Sequence, residues 1–200
     1  MVKLKARKWI FILFALGCMV LIFYAAYRFN INPFHKVGET VDSFNGVKVY
    51  YNGGVAHTEK RNTAPDGYNI GISYQCVEFV KRYYYQKFRH KMPDAYGNAK
   101  DFFDDGLGDG QPNIKRGLIQ YNNESNTKPR IEDIIIFSKS WLNPYGHIAI
   151  ISEVTDNEVE IVQQNPGPFE SSREKFPLKK MNDKWIIAND RVLGRLSLKH

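Results

Sequence analysis

Trp9 to Ala26 reads WIFILFALGCMVLIFYAA, eighteen residues without a charge. As a helix such a run spans about 27 Å, close to the hydrocarbon thickness of a bilayer. Trp9, Tyr24 and Tyr27 sit near its ends, where amphipathic aromatics favour the interface. A cleaved signal peptide requires small residues in an A-x-A pattern, yet cleavage after Ala26 puts Tyr24 at the −3 position and cleavage after Ala25 puts Phe23 there. A lipoprotein reading rests on ALGC ending at Cys18, but eight more apolar residues follow that cysteine. The run is therefore read as an uncleaved anchor. Lys3, Lys5, Arg7 and Lys8 precede it, while Arg28 and Lys36 follow it closely, so the positive-inside rule leaves the N-terminus in the cytoplasm of a plasma (inner) membrane protein.

The anchor also explains the charge. The chain has 200 residues and a net charge of +7, and five of those positive charges fall within residues 1–28, where there is no acidic residue. The remainder of the chain is nearly neutral and lacks the clustered cations of a nucleic-acid face. The expected division is a basic cytoplasmic N-terminus (1–8), a transmembrane signal-anchor (9–27), a linker (28–44) and one extracytoplasmic domain (45–200). Outside the anchor the chain has a single cysteine, Cys76, which has no partner for an internal disulfide. An unpaired thiol in an oxidising compartment is a liability unless its chemistry is used.

Residues 45–54 alternate like a short strand, and 56–73 read as a polar loop. From Cys76 the period changes. Cys76, Phe79, Val80, Tyr83 and Tyr84 fall on one helical face, with Glu78, Lys81, Arg82 and Arg89 opposite. A second, shorter helix is expected over 97–106, followed by a turn-rich loop over 105–113. After Pro129 β-branched runs at 131–137, 147–154, 158–165 and 191–198 predict strands. A helix followed by several strands predicts an α+β domain with an antiparallel sheet.

Cys76 at the first turn of its helix is placed where free N–H groups and the helix dipole favour a thiolate. Such a nucleophile needs a base. Of five histidines, only His147 opens a strand, after the turn NPYG. On the next strand, period two puts Val159, Ile161, Gln163 and Asn165 on one face, and a hairpin brings one of the two amides onto the His147 ring. This is a nucleophile, base and orienter arrangement. Each piece has a plainer reading: a buried small hydrophobe for Cys76, a capped strand start for His147, turn formers for the amides.

The stretch YQCVEFVKRYY, 74–84, resembles the nucleophile motif of CHAP domains, the cysteine, histidine-dependent amidohydrolases and peptidases of the papain-like superfamily. Within them it is most similar to the amidase domain of glutathionylspermidine synthetase/amidase. In order, NGVKVYYNGG, GNAKDFF, PRIEDIIIF, GHIAIISEV and VEIVQQN are similar to further segments of the family, over roughly residues 40–197. The resemblance implies a papain-like cysteine amidase domain, with a nucleophile helix packed on an antiparallel sheet. It implies Cys76 as nucleophile, His147 as general base, Gln75 as an oxyanion-hole residue, and Gln163 and Asn165 at the third catalytic position. The chain departs from the family twice. Gln163 stands where Glu is common, and Phe137-Ser138 stands where the glutathionylspermidine amidases tend to have Trp-Asp.

The resulting expectation is a membrane-anchored thiol hydrolase of the cell wall. Its substrate is an amide or peptide: a peptidoglycan peptide, or a glutathionylspermidine-like γ-glutamyl or polyamine amide. No cofactor, metal or nucleic acid is expected. The alternative is a catalytically weak or inactive binding module on the same fold.

Overall fold

A computed structural model describes residues 2–29 and 32–199. The side chains of Lys3, Lys5, Tyr27 and Arg28, on which the expected anchor orientation rests in part, lie outside the described residues. One helix, α1, covers Val2–Phe29. Its Arg7–Ala26 portion is long and apolar enough to cross a membrane and is not buried against the rest of the protein.

The folded part is α+β. Eight strands form one antiparallel sheet. In chain order these are β5 (Gln111–Asn113), β6 (Leu118–Asn122), β7 (Ile134–Phe137), β8 (His147–Val154), β9 (Glu158–Val162), β10 (Arg173–Met181), β11 (Lys184–Ile187) and β12 (Val192–Ser197). Their spatial order is β11-β10-β9-β8-β7-β12-β6-β5. Two hairpins precede the sheet: β1 (Thr40–Phe44) with β2 (Val47–Tyr50), and β3 (Arg61–Thr63) with β4 (Asn69–Ile72). Ser125 exchanges backbone hydrogen bonds with Trp185, which curls the β11 edge back toward the chain after β6.

The sheet is buried on both faces, so its central strands read as continuous apolar runs rather than as alternation. Ile134, Ile136, Ile148, Ile150, Val162 and Leu196 face the second helix, α2 (Cys76–Phe88). Ile135, Phe137, Ala149, Ile151, Val159 and Ile161 face the inside of the curl, with Phe176 and Leu178 of β10. The apolar stripe of α2 packs as its spacing requires: Phe79, Val80, Tyr83 and Tyr84 are almost wholly buried.

The opposite stripe of α2 departs from expectation. Glu78, Lys81 and Arg82 are buried, not solvated. The segment expected to be a loop at 56–73 holds the β3–β4 hairpin, and this hairpin covers that side of the helix. Burial is tolerable because each group is paired. Glu78 binds Arg82 at 2.7 Å, and Lys81 Nζ donates to the carbonyls of Asn69 and Ala95. The helix expected at 97–106 shortens to one 3-10 turn, Ala99–Phe102, capped by Asn98 and Asp101.

Candidate active site

Residue 74 takes φ 67 and Gln75 is extended, so the chain turns sharply into α2 and sets Cys76 at its first position. The thiol is buried, 8% exposed, at the floor of a cleft of about 500 Å³. Around it lie Val55, Gln75, Tyr96, Asn143, Tyr145 and Asn165. Backbone N–H groups of Ile148, Val77 and Cys76 act to lower the thiol pKa. Their effect is smaller than that of burial, which pushes the thiol from its ordinary 9.0 up to about 11. The helix N-terminus therefore does not produce the low thiol pKa that the sequence suggests.

His147 opens β8 because Gly146 before it takes φ 76. A β-carbon at Gly146 would meet the Phe137 carbonyl at 2.6 Å and Lys100 Cβ at 2.8 Å, so only glycine brings the chain through this point. The imidazole Nε2 lies 2.9 Å from Gln163 Oε1. The Gln163 amide has its orientation set from behind: its Nε2 donates to Ser171 O at 3.1 Å and to Glu174 Oε2 at 3.4 Å. Both are acceptors, so Oε1 faces the ring, and Nε2 of His147 must carry the hydrogen. That tautomer leaves Nδ1 as the basic nitrogen. Burial, with the charge of Arg191 acting in the same sense, lowers His147 from 6.5 to about 4 against the opposing bond from Gln163. Near neutral pH the thiol and the imidazole are thus both uncharged.

Cys76 and His147 reach the site from opposite faces of the sheet. The thiol lies among the residues on the α2 side, next to the backbone of Ile148. The imidazole and Gln163 open on a neighbouring cleft of about 230 Å³ with Phe137, Glu174 and Arg191. Asn143 lines both clefts. Among the described residues, no hydrogen bond joins the Cys76 sulfur to the His147 ring, whose partner is Gln163.

Gln163 and Asn165 do not share a face, contrary to the period-two expectation. Strand β9 ends at Val162, and Asn165 takes the left-handed φ 57. This turns its side chain to the α2 side, where Nδ2 donates to Gln75 Oε1 at 2.8 Å. Its Oδ1 is buried without a partner among the described residues. The Gln75 amide is held at its other end too, donating to His57 O at 2.5 Å. One of its two N–H bonds is thus directed away from the thiol. Phe137, in place of the tryptophan of the glutathionylspermidine amidases, packs its ring 6.0 Å from that of His147.

Gln164 has no role in the sequence reading. Wholly buried, it accepts from Tyr50 N and Arg82, and donates to Gln75 O and Glu78. It ties α2, β2 and the end of β9 together under the cleft. The signal for it is the strand alternation, which puts 164 on the helix side opposite 163. Among the described residues no group of three or more His, Cys, Asp or Glu side chains is arranged to hold a metal ion.

Comparison with known proteins bears on these residues. The CHAP domain family matches residues 65–165, which include Cys76, His147 and Asn165. The chain is 30% identical over 128 residues to trypanothione synthetase of Crithidia fasciculata, covering 62% of this chain and 20% of that protein. It is 29% identical over 168 residues to glutathionylspermidine synthase of the same organism, covering 72% of this chain and 22% of that protein. The chain thus spans about a fifth of the length of these relatives. Among solved structures, the endolysin LysIME-EF1 aligns at 23% identity and a TM-score of 0.39, over 72% of this chain and 60% of that one. With a family match covering half its length and including the segment that carries the thiol, the chain belongs to the CHAP domain family.

Proposed function

We propose that the protein is a membrane-anchored thiol amidohydrolase: residues 1–8 cytoplasmic, 9–27 spanning the plasma membrane, 28–39 a linker and 40–200 the extracytoplasmic catalytic domain, whose strand β1 takes up the last five residues of the linker expected at 28–44. Cys76 is the nucleophile, His147 the general base, Gln163 its orienter, and Gln75 and Asn165 shape the oxyanion side. The observation that carries this reading is the contact of Gln163 with the His147 ring. Gln163, held by Ser171 and Glu174, makes Nδ1 of His147 the proton acceptor on the strand that passes the Cys76 sulfur.

Because both groups rest neutral, attack and proton transfer are coupled. As Sγ bonds to the substrate carbonyl carbon, its proton passes to His147 Nδ1. The oxyanion of the tetrahedral intermediate takes hydrogen bonds from backbone N–H groups at the start of α2 and the remaining Gln75 N–H. Collapse breaks the C–N bond, and the leaving amine takes the proton from the imidazolium. Water, deprotonated by Nδ1, then hydrolyses the thioester, releasing the acid and restoring the thiol. In the structure the thiol and the ring open on neighbouring clefts and share no hydrogen bond, so this step requires that the two be brought together in the substrate complex.

An extracytoplasmic domain near the membrane faces the cell wall, which makes a peptidoglycan peptide the first substrate. A glutathionylspermidine-like γ-glutamyl or polyamine amide is the second. The full chain in detergent micelles, incubated with peptidoglycan fragments and with glutathionylspermidine, is expected to yield one hydrolysis product by mass spectrometry. No product from either, or products unchanged in Cys76→Ala, would sink the proposal. A catalytically weak binding module is the second reading. It is favoured by the high thiol pKa and the neutral orienter, and it predicts substrate binding without turnover.

A further inference from the structure

The Cys76 cleft has an unusual charge balance. Among its described lining residues Arg61 carries the only charge, and no carboxylate lines it. Arg61 is exposed on β3. Its Nη1 donates to Asn69 Oδ1 at 2.8 Å, and its guanidinium lies 5.7 Å from the centroid of the Tyr96 ring. These contacts fix the group at the cleft wall and leave further N–H donors uncommitted. Among the described residues no carboxylate lies in ion-pair distance of it, while other surface cations such as Lys91, Lys175 and Arg173 are so paired.

Two more cations stand behind the same wall. Lys81 donates to Asn69 O and Ala95 O, and Arg116 donates to Asp94 O and Tyr96 O. Both are buried and take carbonyls as partners, so their charge is not cancelled by contact with an acid. Arg116 and Arg61 both act to lower the Lys81 pKa, which places the three within one field. Asp94 and Glu78 oppose it: Asp94 is exposed at the rim, its Oδ1 accepting from Tyr96 N, and Glu78 is paired with Arg82. With the Glu78 charge met by Arg82, three cations stand against Asp94 and Asp101 at this end of the cleft, and the uncommitted donors of Arg61 form a planar fork suited to a carboxylate.

We propose that Arg61 is a specificity residue that binds a free carboxylate on the substrate, so that the cleft takes an anionic peptide amide and rejects a polyamine conjugate. The proposal rests on the amidohydrolase reading for the chemistry beside the carboxylate, but not for the binding itself. A cationic polyamine arm would need acidic groups that the cleft does not offer, and it would meet the field of Arg61, Lys81 and Arg116.

The test uses the full chain in detergent micelles carrying Cys76→Ala, so that binding is read without turnover. Three probes are titrated calorimetrically: N-acetyl-alanyl-γ-glutamyl-lysine with free carboxylates, the same peptide with both carboxylates amidated, and spermidine. The free-carboxylate peptide is expected to bind about five-fold more tightly than its amide, the upper range for a partly exposed ion pair. That preference should shrink as salt rises. Arg61→Gln keeps a donor for Asn69 and removes the charge, and should bring the preference toward one. Arg61→Lys should restore part of it. Equal affinity for the two peptides, a preference untouched by Arg61→Gln, tighter spermidine binding, or no binding of the free-carboxylate peptide would each overturn the assignment. Turnover of the same peptide by the Cys76-containing chain is measured in parallel. Binding with the stated preference but no turnover refutes the hydrolase reading alone, and turnover indifferent to the carboxylate refutes the Arg61 assignment alone.

Discussion

Replacing Gln163 with glutamate puts a carboxylate where the family commonly has one, and the structure indicates how far the imidazole will respond. The new oxygen would stand where Gln163 Oε1 now lies, 2.9 Å from His147 Nε2. At an effective dielectric of about 20, a carboxylate and an imidazolium about 3 Å apart attract by about 5 kcal/mol, or roughly four pKa units. Two effects oppose this. The buried carboxylate loses several kcal/mol of hydration. It also replaces the N–H that donates to Glu174 Oε2 at 3.4 Å, so two like charges face each other there. Glu174 is exposed, and its repulsion is screened to about 1 kcal/mol. A net rise of about two units is expected, from about 4 toward 6. The assay is an NMR titration of the His147 ring in the full chain. The same shift is read in stability. In the wild type the folded state binds fewer protons than the unfolded state between pH 6.5 and 4, so this group makes stability fall, by about 3 kcal/mol in all, as pH drops through that window. In Gln163→Glu the loss should be smaller and confined to a narrower window. A ring pKa that stays near 4 or falls would refute the orienter geometry. Faster acylation is not assured by the shift, because the loss of the bonds to Ser171 and Glu174 loosens the residue that aims the ring.

Three further outcomes are expected at the same site. Alkylation of Cys76 by iodoacetamide should keep rising with pH toward about 11, and a plateau below pH 8 would show that desolvation does not dominate the thiol. Gly146→Ala should destabilise the fold by about 2–4 kcal/mol in urea and reduce any turnover more than tenfold, since the turn before His147 must deform; an unchanged variant would remove the steric argument. Gln164→Ala should cost about 2–4 kcal/mol, leaving Tyr50 N and Gln75 O without a partner over a cavity, and a loss under about 1 kcal/mol would show that the network beneath the cleft is dispensable.

Several elements are legible in the sequence because their residues repeat with a clear period. The helix from Cys76 ends at Phe88 in the structure, and the strand expected at 147–154 is found there. Counting residues across a hairpin brings one of Gln163 and Asn165 to the His147 ring, and the structure places Gln163 there. Asn165 departs from its expected face because strand period does not extend beyond the strand's end, into a residue at φ 57. Lys81 and Arg82 mislead because charge on a helix face usually means water, and nothing in the spacing announces a hairpin folded over that face. Strands β10 and β11, rich in lysine and edged by solvent, carry too weak an apolar alternation to be read from sequence: β10 buries only Phe176 and Leu178. The helix position of Cys76 suggests a low thiol pKa, whereas its value depends on how completely the sheet encloses it.

The proposed mechanism stands on one covalent event, attack by Cys76 with His147 as base. Its most direct test is a single-turnover reaction of the full chain with a peptidoglycan peptide, quenched in acid and digested for mass spectrometry. A thioester of the acyl fragment is expected on the peptide containing Cys76, present in the wild type, reduced in His147→Ala and absent in Cys76→Ala. Hydrolysis that persists in Cys76→Ala, or an acyl group recovered on any other residue, would contradict the mechanism.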